Sequence, residues 1–275
     1  MLKHDNLEHV GAGHEGRFPP LTFSKRDGLL YMHNGDEWDS TFGCMALDHP
    51  TFLWMEYAQK MMAWMLFAER FYEKPRLIAQ LGLGAGALAR FCYARFPLAR
   101  VEVVDINPAV IDACREMFCM PPEGERLGLI EADAMDYVST QERRASIDIL
   151  QVDLYLSERD GPVGQGSAFY RACFDSLATD GMMTINIFGP DLAAVTRQNL
   201  QWLSELFDAV LRLPCEDNNI LICFKRAPVI DMQQLKVKAA VLESFTGIPA
   251  SSWVFFRRDG EALDREKALE LEAVV

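Results

Sequence analysis

The chain has 275 residues, with 40 Asp and Glu against 27 Lys and Arg for a formal net charge of −13, a balance that does not supply the basic surface of a nucleic-acid binder and argues against such a partner. Half of the residues are apolar and 24% are charged, which argues against disorder and, with the length, for one large core plus a smaller unit. Seven cysteines with no C-x-x-C spacing, an amino terminus without an apolar leader and no run of about 18 apolar residues together lead us to expect a reduced, cytoplasmic protein with no membrane span.

Residues 1–20 are polar and without period, so a loose start is expected. Between 21 and 46, short apolar runs are separated by Arg26-Asp27-Gly28 and Asn34-Gly35-Asp36. Both separators are turn chemistry, and two or three antiparallel strands are expected. From 50 to 72, Leu53, Tyr57, Met61, Trp64 and Phe67 recur at steps of three and four. That spacing predicts a single buried or amphipathic helix whose Met and aromatic stripe belongs to the core.

After Pro75 the texture alternates between strand and helix, as in a parallel sheet covered on both faces. The expected strands are 77–81, 101–104, 127–130, 147–152 and 182–188. The expected helices are 87–96, 108–118, 134–140 and 168–177, with a longer one from Asp191 to about 207. Two further strands, 209–213 and 220–224, are joined by a segment short enough for a hairpin and too short for a parallel crossover. The fold class is therefore α/β: a Rossmann-like class I methyltransferase sheet of seven strands ending in an antiparallel hairpin, preceded by a small β-hairpin segment. We expect an N-terminal β-hairpin segment and leading helix over 1–74, a Rossmann-like nucleoside-binding catalytic domain over 75–226, and a helical C-terminal tail over 227–275.

Four places at the ends of successive strands carry the chemistry. Gly82-Leu83-Gly84-Ala85-Gly86 follows the first strand and opens a helix, where glycines allow close backbone approach and the helix offers free N–H groups. Asp105 ends the second strand, where a carboxylate either accepts from both ribose hydroxyls of a nucleoside or caps the helix at Pro108. Asp133, followed by Ala134, either accepts from an adenine amino group or caps the next helix. Asp153 ends the fourth strand at the sheet edge where open α/β sheets bind ligands. Taken together these describe an adenosine site with an acid facing its reacting end. No metal is expected, because all five histidines lie at or before His49.

The runs Leu81-Gly82-Leu83-Gly84-Ala85-Gly86, Val103-Val104-Asp105-Ile106-Asn107-Pro108, Glu131-Ala132-Asp133-Ala134 and Asp148-Ile149-Leu150-Gln151-Val152-Asp153 resemble the spermidine synthase (polyamine aminopropyltransferase) family. Asp39-Ser40-Thr41-Phe42 through Met55-Glu56-Tyr57 is similar to the hairpin and helix that precede the sheet there. The resemblance implies decarboxylated S-adenosylmethionine as co-substrate, held at Gly82, Gly84, Gly86, Asp105, Ile106, Asp133 and Ala134. It implies Asp153 as the base that takes a proton from the attacking amine, with a diamine such as putrescine as acceptor, and a homodimer.

The pattern departs on the amine side. The family's acid before the last glycine is Ala85 here, its second acid after the catalytic one is Leu156, and its Tyr-His pair is Trp54-Met55. Glu158 and Asp160 either replace the missing charge or are solvated loop residues, and Tyr155 either lines the amine channel or packs. Three other readings stay open: an S-adenosylmethionine-dependent methyltransferase, a non-catalytic relative and, distantly, a nicotinamide dehydrogenase.

Overall fold

The structure, a computed structural model, describes residues 18–35, 41–68, 75–155, 166–189, 191–215 and 217–254. Its first layer is a three-stranded antiparallel sheet of β1 (Leu21–Arg26), β2 (Leu29–Asn34) and β3 (Thr41–Ala46). Arg26 pairs with Leu29, so Asp27 and Gly28 alone make the turn, with φ of 53° and 78°. Two positive φ values make the type I′ geometry whose twist suits a hairpin, and they explain the Asp-Gly pair. A Cβ on Gly28 would meet nothing within 4 Å, so Gly28→Ala carries only a backbone cost. We expect a loss of about 1 kcal/mol in urea unfolding.

Seven strands make the main sheet: β4 (Leu77–Leu81), β5 (Arg100–Asp105), β6 (Leu127–Glu131), β7 (Ile147–Val152), β8 (Leu177–Phe188), β9 (Ala209–Pro214) and β10 (Asn218–Phe224). The order is β6-β5-β4-β7-β8-β10-β9, and β10 runs antiparallel to both of its neighbours. Burial of every residue from Ile149 to Val152, the amide of Gln151 included, fits a strand covered on both faces. The direction of strand addition reverses between β4 and β7, which opens a crevice at their carboxyl ends. Gln80 and Gln151 face each other across that pair, and the Gln80 amide donates to the Gln151 oxygen at 2.9 Å, while the Gln151 amide donates to the Met62 sulfur.

Helices α2 (Ala87–Arg95), α3 (Pro108–Met117), α4 (Ala134–Ser139), α5 (Ser167–Ser176) and α6 (Leu192–Ser204) alternate with the strands. One core cluster packs Tyr137, Tyr170 and Leu203 of α4, α5 and α6 against Leu81, Leu150 and Ile185. The other packs Phe91 and Ile111 of α2 and α3, together with Phe23, Met32 and Met45 of the small sheet, against Ile78, Val101 and Ile222. After the hairpin, a helix Met232–Thr246, α7 in chain order, is capped by Asp231 and stopped by Gly247 at φ 75°. Its Leu235, Ala239 and Leu242 join the second core. Among the described residues no helix is long and apolar enough to cross a membrane.

Two expectations need correction. Of the helix expected over 50–72, residues 69–72 lie outside the described residues; among the rest, only Glu56–Lys60, which is α1, is α-helical, and it continues as a 3₁₀ segment, Met61–Leu66. All six residues of that segment are buried, so there is no solvent-facing stripe and a period of 3.6 has nothing to select. Strand β8 starts at Leu177 instead of 182, because Leu177 already pairs with Ile147 before the register shifts. Gly181 lies in that irregular stretch, where a Cβ would come within 3.0 Å of the Ala178 and Ile147 carbonyls.

Candidate functional site

The glycine loop leaves β4 at the reversal point and is shaped by close contact on two sides. Gly82 has φ of 93°, and a Cβ there would lie 2.0 Å from the main-chain oxygen of Asp153. Gly84 has φ of 49°, and a Cβ would lie 2.5 Å from the carbonyl oxygen of Phe42 on β3. The first glycine thus admits the chain leaving β7, and the second admits the small sheet. Gly86 is the left-handed residue that opens α2.

Behind the loop stands Arg90, 1% exposed. Its guanidinium donates to the carbonyls of Pro50 (2.7 Å), Ala85 (2.5 Å) and Phe118 (2.9 Å). These bonds tie the entry to α1, the glycine loop and the end of α3 to one side chain. Burial lowers its pKa to about 10, so it stays charged at neutral pH.

Asp105 ends β5 and accepts from the Leu83 N–H at 2.9 Å and from the Asn107 N–H at 2.8 Å. It therefore joins the glycine loop to the loop before α3, and Asn107, not Asp105, caps α3 by accepting from the Ala109 N–H. Each carboxylate oxygen keeps a lone pair for a further donor. Burial raises the Asp105 pKa and outweighs the two N–H bonds, which lower it. Ile106 follows, half-buried. Asp133 is exposed and caps α4, accepting from the Met135 N–H at 2.7 Å through one oxygen and leaving the other open, with Ala134 as the first helical residue.

Asp153 is carried past the end of β7, where its N–H donates to the Leu81 carbonyl at 2.9 Å. Its Oδ1 accepts from Asn186 Nδ2 at 2.9 Å, and the carboxylate also accepts from the Tyr57 hydroxyl of α1. Burial raises its pKa, while the bonds from Asn186 and Tyr57 pull it down by less. The Tyr57 hydroxyl is held far above its usual range, by burial first and then by Asp153. Tyr155 turns toward β8, where its hydroxyl donates to the main-chain carbonyl of Asn186 at 2.5 Å and its ring meets Phe188 edge-on.

A cleft lies between the small sheet and the carboxyl ends of β4 and β7. Phe42, Cys44, Trp54, Met55, Tyr57, Ala85 and Asp153 are on its walls. Asp153 is the only acid among these described wall residues, and Trp54 at its rim is 54% exposed. Glu158, Asp160 and Leu156 lie outside the described residues. Among the described residues no group of three or more His, Cys, Asp or Glu is placed to hold a metal ion.

The structure thus brings Gly82, Gly84 and Asp153 to one cleft, while Asp105 holds the glycine loop through the Leu83 N–H and Asp133 stands at the next strand end. Sequence reasoning missed Tyr57, which reads as one more member of an apolar stripe, and Asn186. A lone amide near the carboxyl end of the apolar run Met182-Met183-Thr184-Ile185-Asn186-Ile187-Phe188 is the signal that marks it.

No family model matches the chain. The polyamine aminopropyltransferase of Neisseria meningitidis serogroup A is 32% identical over 235 residues, which cover 84% of this chain and 86% of that protein. A probable spermidine synthase from Corynebacterium glutamicum has a similar structure, with a TM-score of 0.70 at 17% identity over 92% of this chain and 98% of its own. Human methyltransferase-like protein 13, solved with SAH, shares the fold at a TM-score of 0.62 and 21% identity, over 77% of this chain and 99% of its own. The two structural likenesses speak to the fold alone, whereas the first relative matches in sequence over most of both chains: this chain belongs to the polyamine aminopropyltransferases, a family of transferases.

Proposed function

We propose that the protein moves an aminopropyl group from decarboxylated S-adenosylmethionine to a diamine such as putrescine, with Asp153 as the base. The observation that carries this reading is a half-buried carboxylate on the wall of the cleft at the reversal point of the sheet, fixed by Tyr57 and Asn186 and packed against the glycine loop. In this reading Gly82, Gly84 and Gly86 let the backbone approach the nucleoside, and Asp105 offers its remaining lone pairs to the ribose hydroxyls. Ile106 packs on the adenine, which Asp133 and the Ala134 N–H meet at its edge.

Asp153 draws the ammonium of the acceptor into the cleft and takes its proton. The freed nitrogen lone pair forms the new bond to the aminopropyl carbon. The carbon–sulfur bond breaks with its electron pair going to sulfur, which leaves as neutral 5′-methylthioadenosine, so the charges balance with one proton released. Tyr155, Glu158 and Asp160 complete the amine side in this reading; a homodimer belongs to it through the family resemblance, and a cytoplasmic setting through the cysteine usage.

Methyl transfer from S-adenosylmethionine is the second reading, favoured by Ala85 at the place of the family's amine-side acid. The test is mass spectrometry of the nucleoside formed from each sulfonium donor with a panel of amines. Methylthioadenosine from the decarboxylated donor is the expected product. S-adenosylhomocysteine instead moves the protein to the methyltransferases, and binding without product leaves a non-catalytic relative.

A further inference from the structure

Asp153 is gripped from the strand next to β7. Asn186 on β8 donates to it through Nδ2, and the Oδ1 of the same amide accepts from Asn218 Nδ2 at 2.7 Å. Strand β10 pairs with β8 so that Ile220 lies opposite Asn186. Asn218, two residues earlier on the same face, is the diagonal neighbour and within side-chain reach. An amide has one accepting end and one donating end. With its oxygen held by Asn218, the Asn186 amide must turn its N–H toward the carboxylate. Turned over, it would face oxygen with oxygen and nitrogen with nitrogen, and both bonds would be lost. The Asn186 main chain is also pinned, because its carbonyl takes the Tyr155 hydroxyl.

We propose that Asn218 is a positioning residue for Asp153, acting through Asn186, so that the antiparallel hairpin at the end of the sheet sets the hydrogen bond made to the reacting acid. The proposal rests on the reading of Asp153 as the base. Tyr57 donates to Asp153 from α1, a separate element, and its bond does not run through Asn218. Among the described residues the titratable groups around Asp153 are Tyr57, Cys44 of β3 and Tyr155, while the glycine loop contributes none.

The test compares full-length wild type with Asn218→Ala, Asn186→Ala and the double variant. One readout is the pH profile of kcat/KM for methylthioadenosine formation. The other is carbon NMR titration of the Asp153 carboxyl, assigned by the signal missing from Asp153→Asn. Losing a donor to the ionised form raises the pKa, so Asn218→Ala is expected to move the acidic limb and the titration upward by about one pH unit. The double variant is expected to shift no further than Asn186→Ala alone, since one path carries both effects.

An unmoved titration in a folded Asn218→Ala protein overturns the proposal, as do shifts that add in the double variant. Asn218→Leu, close in size and without a donor, makes the same comparison if the alanine variant does not fold. Failure of the wild type to form methylthioadenosine from any amine overturns the base reading instead. The titration still decides the positioning claim in that case, because it needs no turnover.

Discussion

Asp153→Asn is expected to cut kcat for methylthioadenosine formation by about 1,000-fold while leaving nucleoside affinity within a few-fold of wild type. The variant keeps the size of the side chain and an oxygen for the Asn186 donor, so what it removes is the ability to take a proton. Because Asp153 is not needed to hold the nucleoside in this reading, the loss belongs in kcat and in the binding of the amine. The pH profile supplies a second signature. Burial holds the Asp153 pKa above the ordinary carboxylate range, so wild-type activity is expected to rise with pH through an acidic limb that is displaced upward and absent from the variant.

Stability moves the other way. A carboxyl whose pKa is higher folded than unfolded favours the fold below its unfolded pKa, and that contribution is lost as pH rises through the folded value. At neutral pH, well above the unfolded value, the raised pKa of Asp153 therefore costs stability. The melting temperature of Asp153→Asn at pH 7 is expected to equal or exceed that of wild type, the usual trade between activity and stability at a site of this kind. A variant that is both inactive and less stable would sink this account of the site.

Among the described glycines, Gly82→Ala is expected to be the most damaging substitution by alanine. The new carbon would lie 2.0 Å from the Asp153 carbonyl oxygen, and the residue would be held at φ 93°, which side-chain-bearing residues rarely adopt. Neither obstacle is the end of a flexible side chain, so the backbone after β7 must shift. We expect a loss of about 4 kcal/mol in denaturant unfolding. Because the atom displaced belongs to Asp153, activity is expected to fall further than the unfolded fraction accounts for. Gly28→Ala is the control: it shares the positive φ without the collision, and it is expected to cost about a quarter as much with no effect on turnover.

The parts of the fold legible in the sequence were those with a repeating physical reason. The sheet strands are buried on both faces and read as apolar runs, and the final hairpin follows from a connection too short to cross over. The 3₁₀ segment Met61–Leu66 was not legible, because in a stretch buried on every side the three-and-four spacing of apolar residues does not select an α-helix. The start of β8 at Leu177 depends on pairing with Ile147, which only the fold brings near.

At the site, glycines and strand-end acids announce themselves by position. Their double roles do not: Asp133 caps α4 with one oxygen, and Asp105 ties two loops together. Tyr57, Asn186 and Asn218 form no motif, since single polar side chains from three elements meet only through topology.

The cleft joins segments that are far apart along the chain and belong to two different sheets. Phe42 presses backbone against Gly84, and Tyr57 reaches Asp153. Each contact closes a long loop, whose entropy must be met before the contact returns anything. During refolding, the helices and the parallel strands are therefore expected to appear before the two walls of the cleft have met. Recovery of activity is expected to lag recovery of helical signal by the docking time of the amino-terminal strands, so that the reaction itself becomes a clock for the last step of assembly.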